Sequence, residues 1–577
     1  LLGCALVETG GDWAIMQLGA LVQGFAVSPA PGTAAGWESC RVCDLTEDSR
    51  TVVPGSMFVA RAGGKADGKA FIGSALSAGA TAILCDDASA AGMAHGVPVI
   101  VAADIAKVSA QIAERFYGLP SSRLAIMGVT GTNGKTTIAH LVWRLMNAAG
   151  SRCGMIGTVQ VDDGTEVAPA MMTTPPSIEV SRTLGVMVES GCEAAAMEVS
   201  SHSLDQKRVE GLRFKVGVFT NLTGDHLDYH GSMDAYCAAK ARLFKMLGED
   251  AVAVVNETDR WAARVVEECC APIVACRRIE ADGVAPAGAK LARARELAWV
   301  RIARESMGGM RLEMVGPFGR IEADVPLIGA YNAMNVLQAC VACHAMGMSA
   351  QQVREGLEAA DAPPGRLERV SDVGSSVHVF VDYAHSDDAL ANVLHAVMDV
   401  MPGRAGAGGR VASAAGALVT GAAPGRLWAV FGCGGDRDRM KRPRMGCVAA
   451  AVADRVVVTS DNPRRERPSD IIDQILSGVA PEHRHKVEVQ ADRARAIRHA
   501  IESATPGDVV VIAGKGHETE QILPDGQGGT IRTHFDDCEV ARTILLERGE
   551  MGAAVSRTNG RTPGRAWGRG RNGSEGR

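Results

Sequence analysis

Lys135 and Thr136 follow a glycine-bounded turn in GVTGTNGKTT, residues 128–137. Successive backbone N–H groups of such a turn, ending at a helix N-terminus, make an anion site, and a lysine there adds a point charge for β and γ phosphates. The Thr136 hydroxyl, next in line, is placed to ligate magnesium. Gly131, Thr132, Asn133, Gly134 and Thr137 complete the loop. The spacing departs from the common phosphate loop, which asks for glycine where Val129 stands; the extra glycines fall at Gly128 and Gly131. Further along, Glu198 ends the apolar run AAAME and His226 follows another in NLTGDHLDYHG, and both are candidates for a divalent metal near the phosphates. Lys240, in AYCAAKARLFKM, sits among apolar helix neighbours, where residue type alone reads as a lysine snorkelling to the surface.

These groups need elements to hold them. Short β-branched runs at 124–129, 216–221, 251–256, 378–383, 427–432, 455–460 and 508–514 read as strands, and the segments between them read as helices, the pattern of parallel α/β sheets. Ligands bind beyond the carboxyl ends of such strands. There the sequence carries TGTNGKTT, LTGDHLDYHG, AHSDDAL, CGGDRDRMKRP, DNPRRERP and KGHE, a set far richer in charge, glycine and histidine than ordinary connections.

The 577 residues suffice for three domains at roughly 100 to 200 residues each. Breaks fall at Leu119-Pro120 and in DAPPGRLERV, giving units over 16–122, 123–362 and 363–548. Residues 1–15 form an extension, 403–425 a Gly/Ala/Arg-rich insertion, and 549–577 a Gly/Arg-rich tail with almost nothing to bury, expected to be disordered. A net charge of -6 supplies no overall basic field, so nucleic acid is not the expected partner. No apolar run approaches the roughly 18 residues of a membrane helix, and the start lacks a basic secretory n-region, so a cytoplasmic protein without membrane insertion is expected. Fifteen scattered cysteines fit reduced thiols. The CxxC pairs Cys40/Cys43 and Cys340/Cys343 read as small core residues rather than as one zinc site.

GTNGKTT, MEVSSH, TNLTGDHLDYHG, AAK, GAYNAMN, GRLE, DYAH, GCGGDRD, DNPR and GKGHE, in this order over about Cys43 to Glu547, resemble the Mur ligase family of ATP-dependent amino-acid ligases. The resemblance implies an α/β fold of three domains: a small N-terminal uridine-diphosphate-binding domain, a central ATPase-like parallel sheet and a Rossmann-like C-terminal domain. It accounts for Val129, since the family's loop is a shortened relative of the common one. It implies that ATP phosphorylates a carboxylate and that an amine attacks the acyl phosphate, with two Mg²⁺ ions offsetting the repulsion between carboxylate and triphosphate.

By motif, Lys135 contacts phosphates, Thr136 holds magnesium, Glu198 and His226 hold metal, and Lys240 matches the family's carbamylated lysine, an anion near Mg²⁺. Asn332, Asn335, Arg366, Asp382 and His385 match nucleotide-contacting or cleft positions. Ser49 and Asp67 resemble the uridine-diphosphate end of the site, and Thr173, Thr174, Ser200, Gln206 and Arg208 resemble contacts to the sugar and peptide. Members adding lysine and members adding diaminopimelate differ at the motif that reads here Asp461-Asn462-Pro463-Arg464. Arg464 can grip the far carboxylate that lysine lacks. Arg437, Gly514 and Glu518 match the rest of that pocket, Glu518 being suited to an ammonium. The expected substrates are therefore ATP, UDP-N-acetylmuramoyl-L-alanyl-D-glutamate and meso-diaminopimelate, handled by a monomer. The lysine-adding sibling is the serious alternative, and a phosphotransferase, for which the DNPR and GKGHE loops would have no task, the remote one. Asp387 stands where the family usually has proline, a tolerable acidic residue at a helix start.

Overall fold

The computed structural model describes residues 15–551 except 64–66, 95, 281, 373, 402–403 and 405–423, so the 1–15 extension, the 403–425 insertion and the 549–577 tail lie almost wholly outside the described residues. The first unit is built on a five-stranded sheet in the order Ser28–Pro29, Val99–Val101, Ala82–Cys85, Ser56–Ala60, Asp44–Thr46, parallel except for its first strand. Its inner strands SMFVA and AILC are buried along their whole length, as strands covered on both faces must be. Ser49 and Asp67 lie just beyond the carboxyl ends of two adjacent strands, Asp44–Thr46 and Ser56–Ala60.

The central unit holds an eleven-stranded sheet. Its parallel part runs Cys153–Ile156, Ala194–Glu198, Ala125–Thr130, Val216–Phe219, Val252–Asn256, Ile273–Ile279, Ala294–Ser306. Helix Lys135–Ala148 and the almost wholly buried helix Ala330–Ala345 share the core on one face. Cys340 and Cys343 are core residues of the latter helix. Two antiparallel additions, Gly309–Gly316 with Gly319–Val325 at one edge and Gln160–Asp162 with Val167–Pro169 at the other, were not among the expected strands. Gly319–Val325, GRIEADV, has alternate residues buried and charge on its exposed face, and so lacks the continuous apolar run of a buried strand.

The C-terminal unit is a six-stranded sheet ordered Glu368–Arg369, His378–Asp382, Val509–Ala513, Leu427–Phe431, Arg455–Val458, Val487–Val489, parallel apart from the first strand. Helix Asp387–Val400 starts on Ser386, whose side chain accepts from the Ala389 N–H, and Asp387 in its first turn pairs with Arg444 at 3.4 Å. Beneath the strand ends, fully buried Arg493 meets Asp537 at 2.7 Å and donates to the carbonyls of Ser460 (3.2 Å) and Ala513 (3.0 Å). The residues that follow those carbonyls are Asp461 and Gly514, so this pair props two site loops from below.

Candidate active site

The phosphate loop leaves strand Ala125–Thr130 and enters helix Lys135–Ala148 through Gly131 (φ 153°) and Gly134 (φ 87°). A Cβ on Gly131 would lie 1.8 Å from Thr220 Oγ1, and one on Gly134 2.6 Å from Asn335 Oδ1, so the loop is pressed against both neighbours. Thr132 N–H donates to the Asn221 carbonyl at 2.9 Å, Asn133 N–H to Asn221 Oδ1 at 3.0 Å, and Thr220 Oγ1 to the Asn133 carbonyl at 2.6 Å. Asn335 donates to Asn332 Oδ1 at 3.0 Å, and Asn332 to the Ile328 carbonyl, which makes the two asparagines a buttress behind Gly134. Gly134→Ala combines left-handed strain with this clash, at roughly 1–3 kcal/mol for the strain alone, and is expected to weaken ATP binding at least about tenfold, read by nucleotide titration. Parent-like affinity would show that the loop is not held in this shape.

Lys135 Nζ donates to the carbonyls of Gly131 (3.0 Å) and Thr132 (2.8 Å). Burial lowers its pKa, and the Glu198 carboxylate opposes that shift. Glu198 is completely buried. It accepts from Thr136 Oγ1 at 3.0 Å and from Thr158 through its N–H (2.7 Å) and hydroxyl (3.0 Å). Arg366, from the C-terminal side of the second break, donates to Thr136 Oγ1 at 3.0 Å, and its guanidinium lies 4.7 Å from the centre of the Tyr383 ring.

Lys240 does not reach the surface, which corrects the expectation from residue type. It is 1 % exposed, donates to the Gly131 carbonyl at 2.7 Å and stands 4.5 Å from the centre of the Tyr236 ring. Burial first, and then the neighbouring charge of Lys135, hold its pKa well below the usual lysine value. Such a group is biased toward the neutral amine. His226 takes a left-handed conformation (φ 54°) before the short helix Leu227–His230 and packs on His202 with ring centres 4.9 Å apart. Burial lowers its pKa. Among the described residues, the non-glycine residues with positive φ other than Leu119, namely Lys207, His226, Leu367, Asp436 and Arg464, lie in loops of this region. Strain of that kind concentrates at functional sites.

Among the described residues no group of three or more His, Cys, Asp or Glu side chains is arranged to hold a metal by itself. Magnesium does not need one, since it is commonly bound through one or two carboxylates plus substrate phosphates and water. Glu198 and the Thr136 hydroxyl, 3.0 Å apart beside the loop, are hard oxygen donors that fit this mode.

Around this centre, Thr173 Oγ1 is 3.1 Å from Thr158 Oγ1, and Thr174 Oγ1 donates to the Glu198 carbonyl at 2.8 Å. Ser200 caps the helix Ser201–Asp205. Arg208 donates to the Thr174 carbonyl (2.7 Å) and to Gln206 Oε1 (2.7 Å). Arg208 also acts electrostatically on Glu47, which is paired with Arg61 at 2.8 Å, so the first domain meets the central one here. Asp67 caps the turn Gly68–Phe71, while residues 64–66 of the KADGK loop lie outside the described residues. Ser49 is half-buried in the neighbouring loop.

In the C-terminal domain, buried Asp382 accepts from the N–H groups of Leu367 (2.6 Å) and Ala384 (2.7 Å), fastening the connection between domains, and burial pushes its pKa up to about 6. His385 Nδ1 lies 2.9 Å from the Tyr383 carbonyl. Arg464 (φ 53°) donates from Nη1 to the Gly435 carbonyl at 2.8 Å, and a Cβ on Gly434 would lie 2.9 Å from that nitrogen and 3.7 Å from Arg437 Cγ. Arg437 and Arg464 therefore flank one glycine. Asn462 Nδ2 donates to Glu518 Oε2 at 2.6 Å, Asp461 is buried with Oδ1 unpaired, and Gly514 N–H donates to the Asp382 carbonyl at 3.0 Å. Fully buried Lys515 reaches Glu518 at 3.2 Å. In the sequence Lys515 within GKGHE and Tyr383 within DYAH carry no assigned role, and Thr158 lies in no motif. The proximity of Lys515 to Glu518 within one motif was the available signal; Thr158 offered none.

The loops thus bring a phosphate cradle, a buried carboxylate and a buried amine to the meeting edge of three α/β domains, the design of an ATP-using ligase. Three family models match: "Mur ligase family, catalytic domain" over residues 44–117, "Mur ligase middle domain" over 129–343 and "Mur ligase, glutamate ligase domain" over 409–516. The chain belongs to the Mur ligase family. It is 40% identical over 511 residues, 89% of this chain and 95% of the relative, to UDP-N-acetylmuramoyl-L-alanyl-D-glutamate--2,6-diaminopimelate ligase of Gloeobacter violaceus. The enzyme of the same name from Chlorobaculum tepidum is 40% identical over 506 residues, 88% of this chain and 93% of the relative. A solved structure bearing that name superposes with a TM-score of 0.61 at 29% identity, covering 93% of this chain and all of the other. A MurF ligase of Thermotoga maritima in complex with ADP shares the fold, with a TM-score of 0.54 at 17% identity, 88% of this chain and 97% of the other being covered.

Proposed function

We propose that this protein is the ATP-dependent ligase that joins meso-diaminopimelate to UDP-N-acetylmuramoyl-L-alanyl-D-glutamate in peptidoglycan precursor synthesis. The observation that carries this reading is identity of about 40% along nearly the whole chain with relatives named for that reaction. Working in the cytoplasm as a monomer is part of the proposal; among the described residues no helix is long and apolar enough to cross a membrane.

The loop amides and Lys135 grip the β and γ phosphates, so the ammonium exchanges its two carbonyl partners for anionic oxygens and its lowered pKa rises again. The glutamyl carboxylate attacks the γ phosphorus and ADP leaves. The amine of diaminopimelate then attacks the acyl carbon, the tetrahedral adduct collapses, and inorganic phosphate departs with the proton lost to solvent. Thr136 and Glu198 would hold one Mg²⁺ and His226 would help to hold a second, and the ions would supply charge neutralisation between carboxylate and triphosphate. Arg366, bonded to Thr136, carries the C-terminal domain to the phosphates when the site closes.

Lys240 enters as its carbamate. A buried amine biased toward the neutral form has the free lone pair that adds to carbon dioxide, releasing one proton and leaving an anion. Ser49, Asp67, Thr173, Thr174, Ser200, Gln206 and Arg208 line the sugar-nucleotide path. Arg437, Asp461, Asn462, Arg464, Gly514 and Glu518 hold the amino acid. Asn332, Asn335, Asp382 and His385 complete the nucleotide side. The test is phosphate release that requires ATP, Mg²⁺, the sugar nucleotide and diaminopimelate together; release without the sugar nucleotide would point to a different acceptor.

A further inference from the structure

Thr158 belongs to none of the motifs above. It lies in the turn between strands Cys153–Ile156 and Gln160–Asp162, on the far side of Glu198 from the phosphate loop. Its N–H donates to Glu198 Oε1 at 2.7 Å and its hydroxyl to Oε2 at 3.0 Å, while Thr136 donates to the same Oε2 at 3.0 Å. A carboxylate offers about four lone-pair positions, two per oxygen. Both positions on Oε2 are therefore taken and one on Oε1, which leaves a single direction open. The hydroxyl's one proton is shared between Glu198 Oε2 and Thr173 Oγ1, 3.1 Å away. Glycine at 157 is what lets the turn approach so closely, because a Cβ there would lie only 2.8 Å from Glu198 Oε1.

We propose that Thr158 is a positioning residue that fixes the one direction in which Glu198 can take a divalent cation. The inference rests on the ligase reading only for the presence of a cation with the nucleotide. Binding of Mn²⁺ with ADP, followed by electron paramagnetic resonance and by calorimetry on the full chain, tests it without sugar nucleotide or amino acid. Partners that orient metal ligands commonly contribute 10- to 100-fold to metal affinity, so Thr158→Val is expected to weaken Mn²⁺ binding about tenfold or more, with Thr158→Ser restoring it. Parent-like Mn²⁺ affinity in Thr158→Val would overturn the proposal. Failure of the ligase reading would show separately, as absent phosphate release in a protein that still binds Mn²⁺ with ADP.

Discussion

Lys240→Ala is expected to lower turnover by about 100- to 1000-fold, the scale seen when one electrostatic group of a site is removed, and short carboxylates such as formate or acetate are expected to restore part of it. The lysine is 1 % exposed and touches the Gly131 carbonyl of the phosphate loop, so an alanine leaves a buried space beside the phosphates into which a small anion fits. Lys240→Arg separates the two possible roles of this side chain. It keeps the cation and forms no carbamate, so it is expected to be as poor as alanine and to gain nothing from bicarbonate. The parent, supplied with ¹³C-bicarbonate, is expected to show a lysine carbamate resonance that both variants lack. Full activity in the plain alanine variant, or an active Lys240→Arg, would remove the carbamate from the mechanism.

The second large effect is expected at Arg464. Diaminopimelate differs from lysine by a carboxylate at its far end, and a guanidinium answers a carboxylate with two parallel charge-assisted hydrogen bonds. Arg464 is half-buried, its loop fixed by the bond from its N–H to the Ile522 carbonyl (3.0 Å) and its Nη1 by Gly435. Arg464→Ala is expected to lower kcat/KM for diaminopimelate about 100-fold, roughly 2.7 kcal/mol, with the KM for ATP nearly unchanged. Arg464→Lys should recover little, since a point charge does not reproduce the fork. Equal loss of ATP and amino-acid affinity would assign Arg464 to holding the loop rather than to reading the substrate.

Much of this arrangement is legible in the sequence because parallel sheets concentrate chemistry after strand ends. The seven strands expected from apolar runs all form within a residue or two of their places, and the loops behind them make the site. Lys240 shows where residue type stops being informative. A lysine within a helix is normally solvated, and only the tertiary placement of helix Met233–Lys245 against the phosphate loop buries it. Thr158 shows a second limit. A threonine in a turn carries no periodicity or motif, and its partner Glu198 is 40 positions away. Lys515 lies between these cases, since GKGHE was visible but the ion pair that occupies Glu518 needed coordinates. That pair also refines the pocket, because an incoming ammonium must share Glu518 with Lys515 and Asn462.

Diaminopimelate addition itself is tested most directly by competition. The purified protein, given ATP, Mg²⁺ and UDP-N-acetylmuramoyl-L-alanyl-D-glutamate with equal concentrations of meso-diaminopimelate and L-lysine, is expected to yield a nucleotide product whose mass is that of the diaminopimelate tripeptide, with the lysine product at a trace. A product mixture dominated by lysine would contradict the specificity assigned to Arg464 while keeping the ligase.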